Sequence, residues 1–72
     1  MSKGQINNQI RKLRFMQGEM TQAELADKVG VTRQTINALE ASKYSPSLEL
    51  AFKIANVFGK PISEVFFYQA TE

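Results

Sequence analysis

Thr21-Gln22-Ala23-Glu24-Leu25-Ala26-Asp27-Lys28-Val29-Gly30-Val31-Thr32-Arg33-Gln34-Thr35-Ile36-Asn37-Ala38-Leu39-Glu40 is the stretch that decides how this chain folds. It opens on Thr-x-x-Glu, the capping-box pattern in which each side chain satisfies the other residue's backbone N–H at a helix start. The helix that follows turns Leu25, Ala26 and Val29 inward and must stop before Gly30, a residue that accepts positive φ at no steric cost. Only Gly30-Val31-Thr32 separates it from a second start. Thr32 caps a helix from Arg33 to about Glu40, with Ile36 and Leu39 spaced i, i+3 on its inner face. Ala26 lies where the two helices cross, and a small side chain there lets their axes approach. Val31 and Ile36 anchor the turn and the second helix to a core.

Upstream, Ile6, Ile10 and Leu13, with Met16 or Met20, recur at helical spacing, which predicts a helix over about 8 to 17. Asn7 or Asn8 can cap it, and Gly18 ends it. Downstream, the serines and Ser45-Pro46 break periodicity, so residues 41–46 read as a loop. Ser47 caps a fourth helix running to about Phe58. Its apolar residues Leu48, Leu50, Ala51, Phe52, Ile54, Ala55, Val57 and Phe58 cover nearly every face, which predicts that it forms the centre of the core. Gly59 stops it. Pro61 to Val65 suits one short helical turn with Pro61 near its first position. Phe66 to Gln69 is aromatic-rich and reads as extended.

The 72 residues make one domain. A chain this short buries only ~60% of the surface that it exposes when unfolded, so it gains from any additional staple. With no cysteine and no histidine, disulfides, thiolate or imidazole zinc sites and His-based catalytic triads are excluded. Asp27, Glu49 and Glu64 form no pair suited to acid–base catalysis or metal binding. Neither a metal site nor a cofactor is expected. Packed helices or a second subunit remain as staples. The net charge is a mild +2, but it is unevenly spread: Lys3, Arg11, Lys12 and Arg14 precede any acid, and residues 15–72 sum to −2. An anionic partner is therefore expected to meet the first helix or a few placed bases. The longest apolar run, Val65-Phe66-Phe67-Tyr68, is far too short to span a bilayer, and Met1-Ser2-Lys3-Gly4 lacks a signal-peptide layout. A cytoplasmic protein is expected.

Two short capped helices joined by a tight turn form the layout of a helix-turn-helix. The exposed positions of its second helix are expected to be Arg33, Gln34, Asn37 and Ala38. These suit reading of base edges, because arginine can pair with guanine O6 and N7, and the amides can pair with adenine N6 and N7. Gln22 and Thr35 offer uncharged donors to phosphate, Thr32 can add a hydroxyl beside its cap, and Lys43 can reach an adjacent backbone.

The chain resembles the Cro/C1-type (XRE family) helix-turn-helix regulators, in particular their short single-domain group. The resemblance lies in residues 10–14, Thr21 to Ala26, Val29 to Asn37, Tyr44 to Ala51 and the ending from Phe58-Gly59 to Phe66. It spans roughly residues 6–68. It implies a mainly α fold: a five-helix, lambda-repressor-like DNA-binding domain over residues 1–72, with the helix-turn-helix at about 21–40 and a dimerisation segment at about 61–70. It further implies that Arg33, Gln34 and Asn37 face bases, that Gln22, Thr35 and Lys43 touch phosphate, and that Arg14 pairs with Glu40. Small members of the family bind double-stranded DNA as homodimers with a minor ribbon from the two chain ends, here about Gln5–Asn7 with Phe66–Tyr68. The stretch between Arg14 and Thr21 is one residue longer than the commonest pattern. Alternation sets Phe66 and Tyr68 on one side of the last segment and Phe67 on the other, and the aromatic left bare is expected to form the dimer contact. A repressor acting on a palindromic operator is the function implied. The rival from another class is an antitoxin-type or adaptor protein that uses the same fold to bind a protein partner.

Overall fold

A computed structural model describes residues 3–71. Five helices lie between two strands: β1 Lys3–Asn8, α1 Ile10–Met16, α2 Gln22–Val29, α3 Arg33–Glu40, α4 Leu48–Phe58, α5 Ile62–Val65 and β2 Phe66–Thr71. The helix starts are made as their sequences dictate. Thr21 Oγ1 accepts from Glu24 N at 3.0 Å while Glu24 Oε1 accepts from Thr21 N at 2.8 Å, a complete capping box. Thr32 accepts from Thr35 N at 3.2 Å, and Ser47 from Leu50 N at 3.1 Å. Gly30 takes φ 77°, and the chain folds back so that Val31 N donates to Ala26 O at 3.0 Å. That single left-handed residue lets α3 begin almost where α2 ends.

The core is apolar throughout. Ile10, Leu25, Ile36, Leu39, Ile54 and Val65 are fully buried, one or two from each helix, and Ala26, Val29, Ala55 and Phe58 close around them. Leu13, Val31, Leu50 and Phe66 pack against this cluster from its edges. No buried side-chain polar atom among the described residues lacks a partner.

Four expectations need correction. The first helix begins at Ile10, not 8: Asn7 lies in β1, and Asn8, the last strand residue, caps from just outside by accepting Ile10 N at 3.1 Å. Pro61 sits at the cap of α5 in extended backbone, so the turn starts one residue later. The fourth helix is not buried on all faces. It turns Ala51, Ile54, Ala55 and Phe58 inward but leaves Leu48 70% and Phe52 50% exposed. Apolar residues all round a helix carry no phase, so the buried stripe was set by the neighbouring helices. The ribbon is also longer than expected, pairing Lys3 with Thr71 through to Asn8 with Phe66, antiparallel.

The ribbon extends the molecule, whose extents are 40 × 22 × 20 Å. Its base is tied to the helices. Gln9 N donates to Val65 O at 2.8 Å. Asn8 Nδ2 donates to Leu39 O at 2.7 Å and Ser42 Oγ to Asn7 Oδ1 at 3.2 Å, so the strand meets the C-terminal end of α3. Further out, Tyr68 pairs with Ile6, and its ring lies diagonally across the ribbon over Gly4. A Cβ at Gly4 would overlap that ring. A strand glycine is ordinarily ~0.5–1 kcal/mol worse than alanine, so its place here follows from the ring above it. Gly4→Ala should therefore destabilise the protein, whereas the same change in a Tyr68→Ala background should be neutral or stabilising. Chemical denaturation of the four proteins of that cycle measures the difference.

Candidate nucleic-acid interface

The α2–α3 pair presents one continuous polar surface. Arg33, Gln34 and Asn37 are exposed along α3, with Asn37 about one turn beyond the other two. Ala38 departs from expectation: it is half-buried, and its carbonyl accepts Lys43 N at 2.9 Å as the chain leaves the helix. Only its methyl group can meet a partner, which suits an apolar contact such as a thymine methyl. Lys43 itself is exposed, in the turn that follows Ser42, a residue with φ 57°. Thr32 is exposed and Thr35 half-buried, and their hydroxyls lie 3.0 Å apart. The N-terminal first turns of α2 and α3 leave backbone N–H groups that no helical carbonyl can reach, of which Glu24 N and Thr35 N are taken up by the caps.

Arg14 and Glu40 meet as the family resemblance implied. Arg14 Nε donates to Glu40 Oε2 at 2.6 Å and Nη2 to Oε1 at 3.1 Å, with the side chains only 14% and 9% exposed. The third guanidinium nitrogen, Nη1, donates to Met20 O at 2.6 Å. The extra residue between Arg14 and Thr21 is absorbed by two successive left-handed residues, Gly18 at φ 74° and Glu19 at φ 57°, which return the chain so that Met20 N donates to Arg14 O at 2.9 Å. The longer loop therefore wraps Arg14 and does not draw it away. Removing one partner of a pair this withdrawn leaves an uncompensated charge, at a cost of ~3 kcal/mol or more.

Gln22 is half-buried, and its Nε2 donates to Glu40 Oε1 at 3.1 Å and to Asn37 Oδ1 at 3.3 Å. Sequence reasoning missed this link, since an amide beside an N-cap gives no sign of its direction. It also undervalued Arg11. Arg11 lines the same open groove as Arg14, Gln22, Asn37, Glu40 and Ala41. The signal was available in its spacing, one helical turn before Arg14 on the same side of α1.

At the far end, Phe66 packs on the core edge while Phe67 and Tyr68 are exposed. Phe67 borders a shallow groove with Lys12, Leu13, Met16, Lys60 and Glu64. Among the described residues no cluster of acidic side chains could hold a metal ion, and no helix is long and apolar enough to cross a membrane.

Two capped helices joined at a left-handed glycine, with an amide- and arginine-bearing outer face, make a helix-turn-helix domain. Residues 10–65 match the helix-turn-helix family, and the chain belongs to it, in the XRE-type branch. The chain is 48% identical over 67 residues to an uncharacterised HTH-type transcriptional regulator of Methanocaldococcus jannaschii, covering 93% of this chain and all of that one. It is 51% identical over 67 residues to another such regulator, from Archaeoglobus fulgidus, covering 93% and 94%. It is also 37% identical over 60 residues to the transcriptional repressor RstR of the cryptic phage CTXphi in Vibrio cholerae, covering 83% of this chain and 53% of that one. The fold matches the crystal structure of a candidate DNA-binding protein from Bacteroides fragilis with a TM-score of 0.73 at 22% identity, covering 86% of this chain and 98% of that one.

The α2 cap couples the stability of this helix start to pH. The Thr21 backbone N–H and then its hydroxyl hold the Glu24 carboxyl below its ordinary value; desolvation opposes this, and Lys28 adds the smallest part. A carboxylate with a lowered folded-state pKa contributes stability above the unfolded value and loses it as pH falls through the folded one. Glu24→Gln keeps an acceptor at the same place and should flatten the acid limb of the stability–pH curve, as followed by thermal unfolding across the carboxylate range.

Proposed function

We propose that this chain is a sequence-specific DNA-binding transcriptional regulator, acting as a repressor on a roughly palindromic operator. One observation carries the proposal: a helix-turn-helix whose second helix offers Arg33, Gln34 and Asn37 outward, in a chain similar along almost its whole length to proteins named as transcriptional regulators. A repressor mode is supported by the similarity to the phage repressor. The action is binding without catalysis, in the cytoplasm, where the DNA lies.

In this proposal α3 enters the major groove. Arg33 and Gln34, at its start, read base edges, Asn37 reads one turn further along, and Ala38 offers its methyl group. Thr32, Thr35 and Lys43 contact phosphates on one side, and the first-turn N–H groups at Gln22 contact them on the other, with Arg11 at the rim of the groove. The protein works as a homodimer. Phe67 and Tyr68, exposed on the ribbon, together with Phe66 at its base, supply the contact that shields them from water. Two copies would set two recognition helices ~34 Å and ~10 bp apart, and would bring twice the +2 charge to one site.

Selection of bound duplexes from a random pool tests the regulator directly and should return a two-fold symmetric site. On that site Arg33→Ala should lose ~1–3 kcal/mol and relax preference at one base pair. Equal weakening on specific and random DNA would make Arg33 a phosphate contact only. For the assembly, Phe67→Glu should turn the dimer into a folded monomer by sedimentation. A variant that remains dimeric would remove the ribbon aromatics from the interface.

A further inference from the structure

Lys3, Arg11, Lys12 and Arg14 precede any acid in the sequence, and three of the four lie on α1. They are not in the same state. Arg14 is withdrawn from water and occupied by Glu40. Arg11 and Lys12 are exposed. The other ion pair among the described residues joins Lys53 to Glu49, so Arg11 carries a charge that no acidic side chain takes up. Arg11 also borders two open grooves. One lies against α2 and α3 and is lined by Gln22, Asn37 and Ala41. The other lies toward the base of the ribbon and the loop after α1, and is lined by Asn8, Gln9, Lys12, Phe15 and Glu19. Arg11, Arg14 and Glu40 line both. The two grooves therefore adjoin and make one furrow, from α3 past the start of α2 to α1. Arg14 and Glu40 cancel each other within it. That leaves Arg11 and Lys12 against Glu19, a net positive path between walls of uncharged amides.

We infer that Arg11 binds a backbone phosphate of DNA, and that the furrow carries the flank of the duplex beyond the bases that α3 faces. The chemistry fits a phosphate. A guanidinium presents its donors in a planar fork that matches two phosphate oxygens, and the bond is strengthened by the charge on both sides. The location fits a flank. A strand whose phosphates pass Gln22 at the start of α2 has Arg11 as its next cation, because Gln22 and Arg11 line the same groove. Lys12 lies further along and adds attraction without a fixed partner. Such a contact sets the register and orientation of the protein on the duplex and carries no sequence information. This inference rests on the DNA-binding function proposed above and deepens it by assigning one phosphate contact and the direction in which the footprint extends.

The test measures duplex binding by the intact protein over a range of salt concentrations. Arg11→Gln should flatten the plot of log affinity against log salt by ~0.9 for each copy bound, to the same extent on the selected site and on random duplex. Arg11→Lys, which keeps the charge and loses the fork, should restore the slope. Lys28→Gln removes the same charge from the last turn of α2 and should leave the slope unchanged. Ethylation of single phosphates through the selected site should reveal one position, outside the bases that α3 faces, where the wild type weakens severalfold and Arg11→Gln does not. An unchanged slope in Arg11→Gln overturns the inference. So does an equal change in Lys28→Gln, which would reduce Arg11 to net charge. So does an ethylation pattern identical in wild type and Arg11→Gln, or a shift in base preference, which would make Arg11 a base contact. A protein that binds random duplex but selects no site would fail as a sequence-specific regulator, and the salt slope would still decide the role of Arg11. A protein that binds no duplex overturns both.

Discussion

An arginine and a glutamate withdrawn from water hold the working parts of this protein together. Arg14 comes from α1, Glu40 from the end of α3, and the guanidinium also fastens the carbonyl of Met20 in the loop between α1 and α2. Burying two charges costs several kcal/mol per ion, and their attraction offsets that only with near-ideal geometry and additional hydrogen bonds. Both conditions are met: the contact is bidentate, and Gln22 takes up the remaining capacity of Oε1. The pair is therefore better understood as a fixture than as a source of net stability. It sets where α3 ends relative to α1, and the apolar cluster around Ile36 and Ile54 supplies the cohesion.

The parts that sequence disclosed are those decided by local chemistry. Thr21, Thr32 and Ser47 cap because a short side-chain oxygen next to an orphan N–H does so in any surroundings. Gly30 marks the turn because few other residues tolerate its backbone. What stayed hidden was decided by contacts distant in sequence. Leu48 and Phe52 looked like core residues until α2 and α5 took the other side of α4. The direction of the Gln22 amide depends on a carboxylate eighteen residues away. Asn8 serves at once as strand end, helix cap and donor to Leu39 O, and no local pattern announces all three.

The family match and the structure divide the molecule at the same places. The match spans residues 10–65, from the start of α1 to the end of α5, and both strands lie outside it. The helical body carries the surface proposed to meet DNA. The ribbon, with Phe67 and Tyr68, carries the surface proposed to meet a second copy. The two are joined at Asn7 and Asn8, whose side chains contact Ser42 and Leu39 at the end of α3. The placement of α3 and the placement of the ribbon are thus not independent of each other.

The pairing of the two strands has a consequence for the order in which the molecule assembles. Every helix closes its hydrogen bonds over a few residues, but Asn8 must find Phe66 and Lys3 must find Thr71. Closing so long a loop carries an entropic cost, and two strands alone are marginally stable at best in water. The ribbon can therefore form only after the helices have brought Gln9 against Val65. By the same logic it is the first part to open, and its amides should exchange with solvent well before those of α2 and α4. An interface built on it would then be a late, reversible addition to a body already folded.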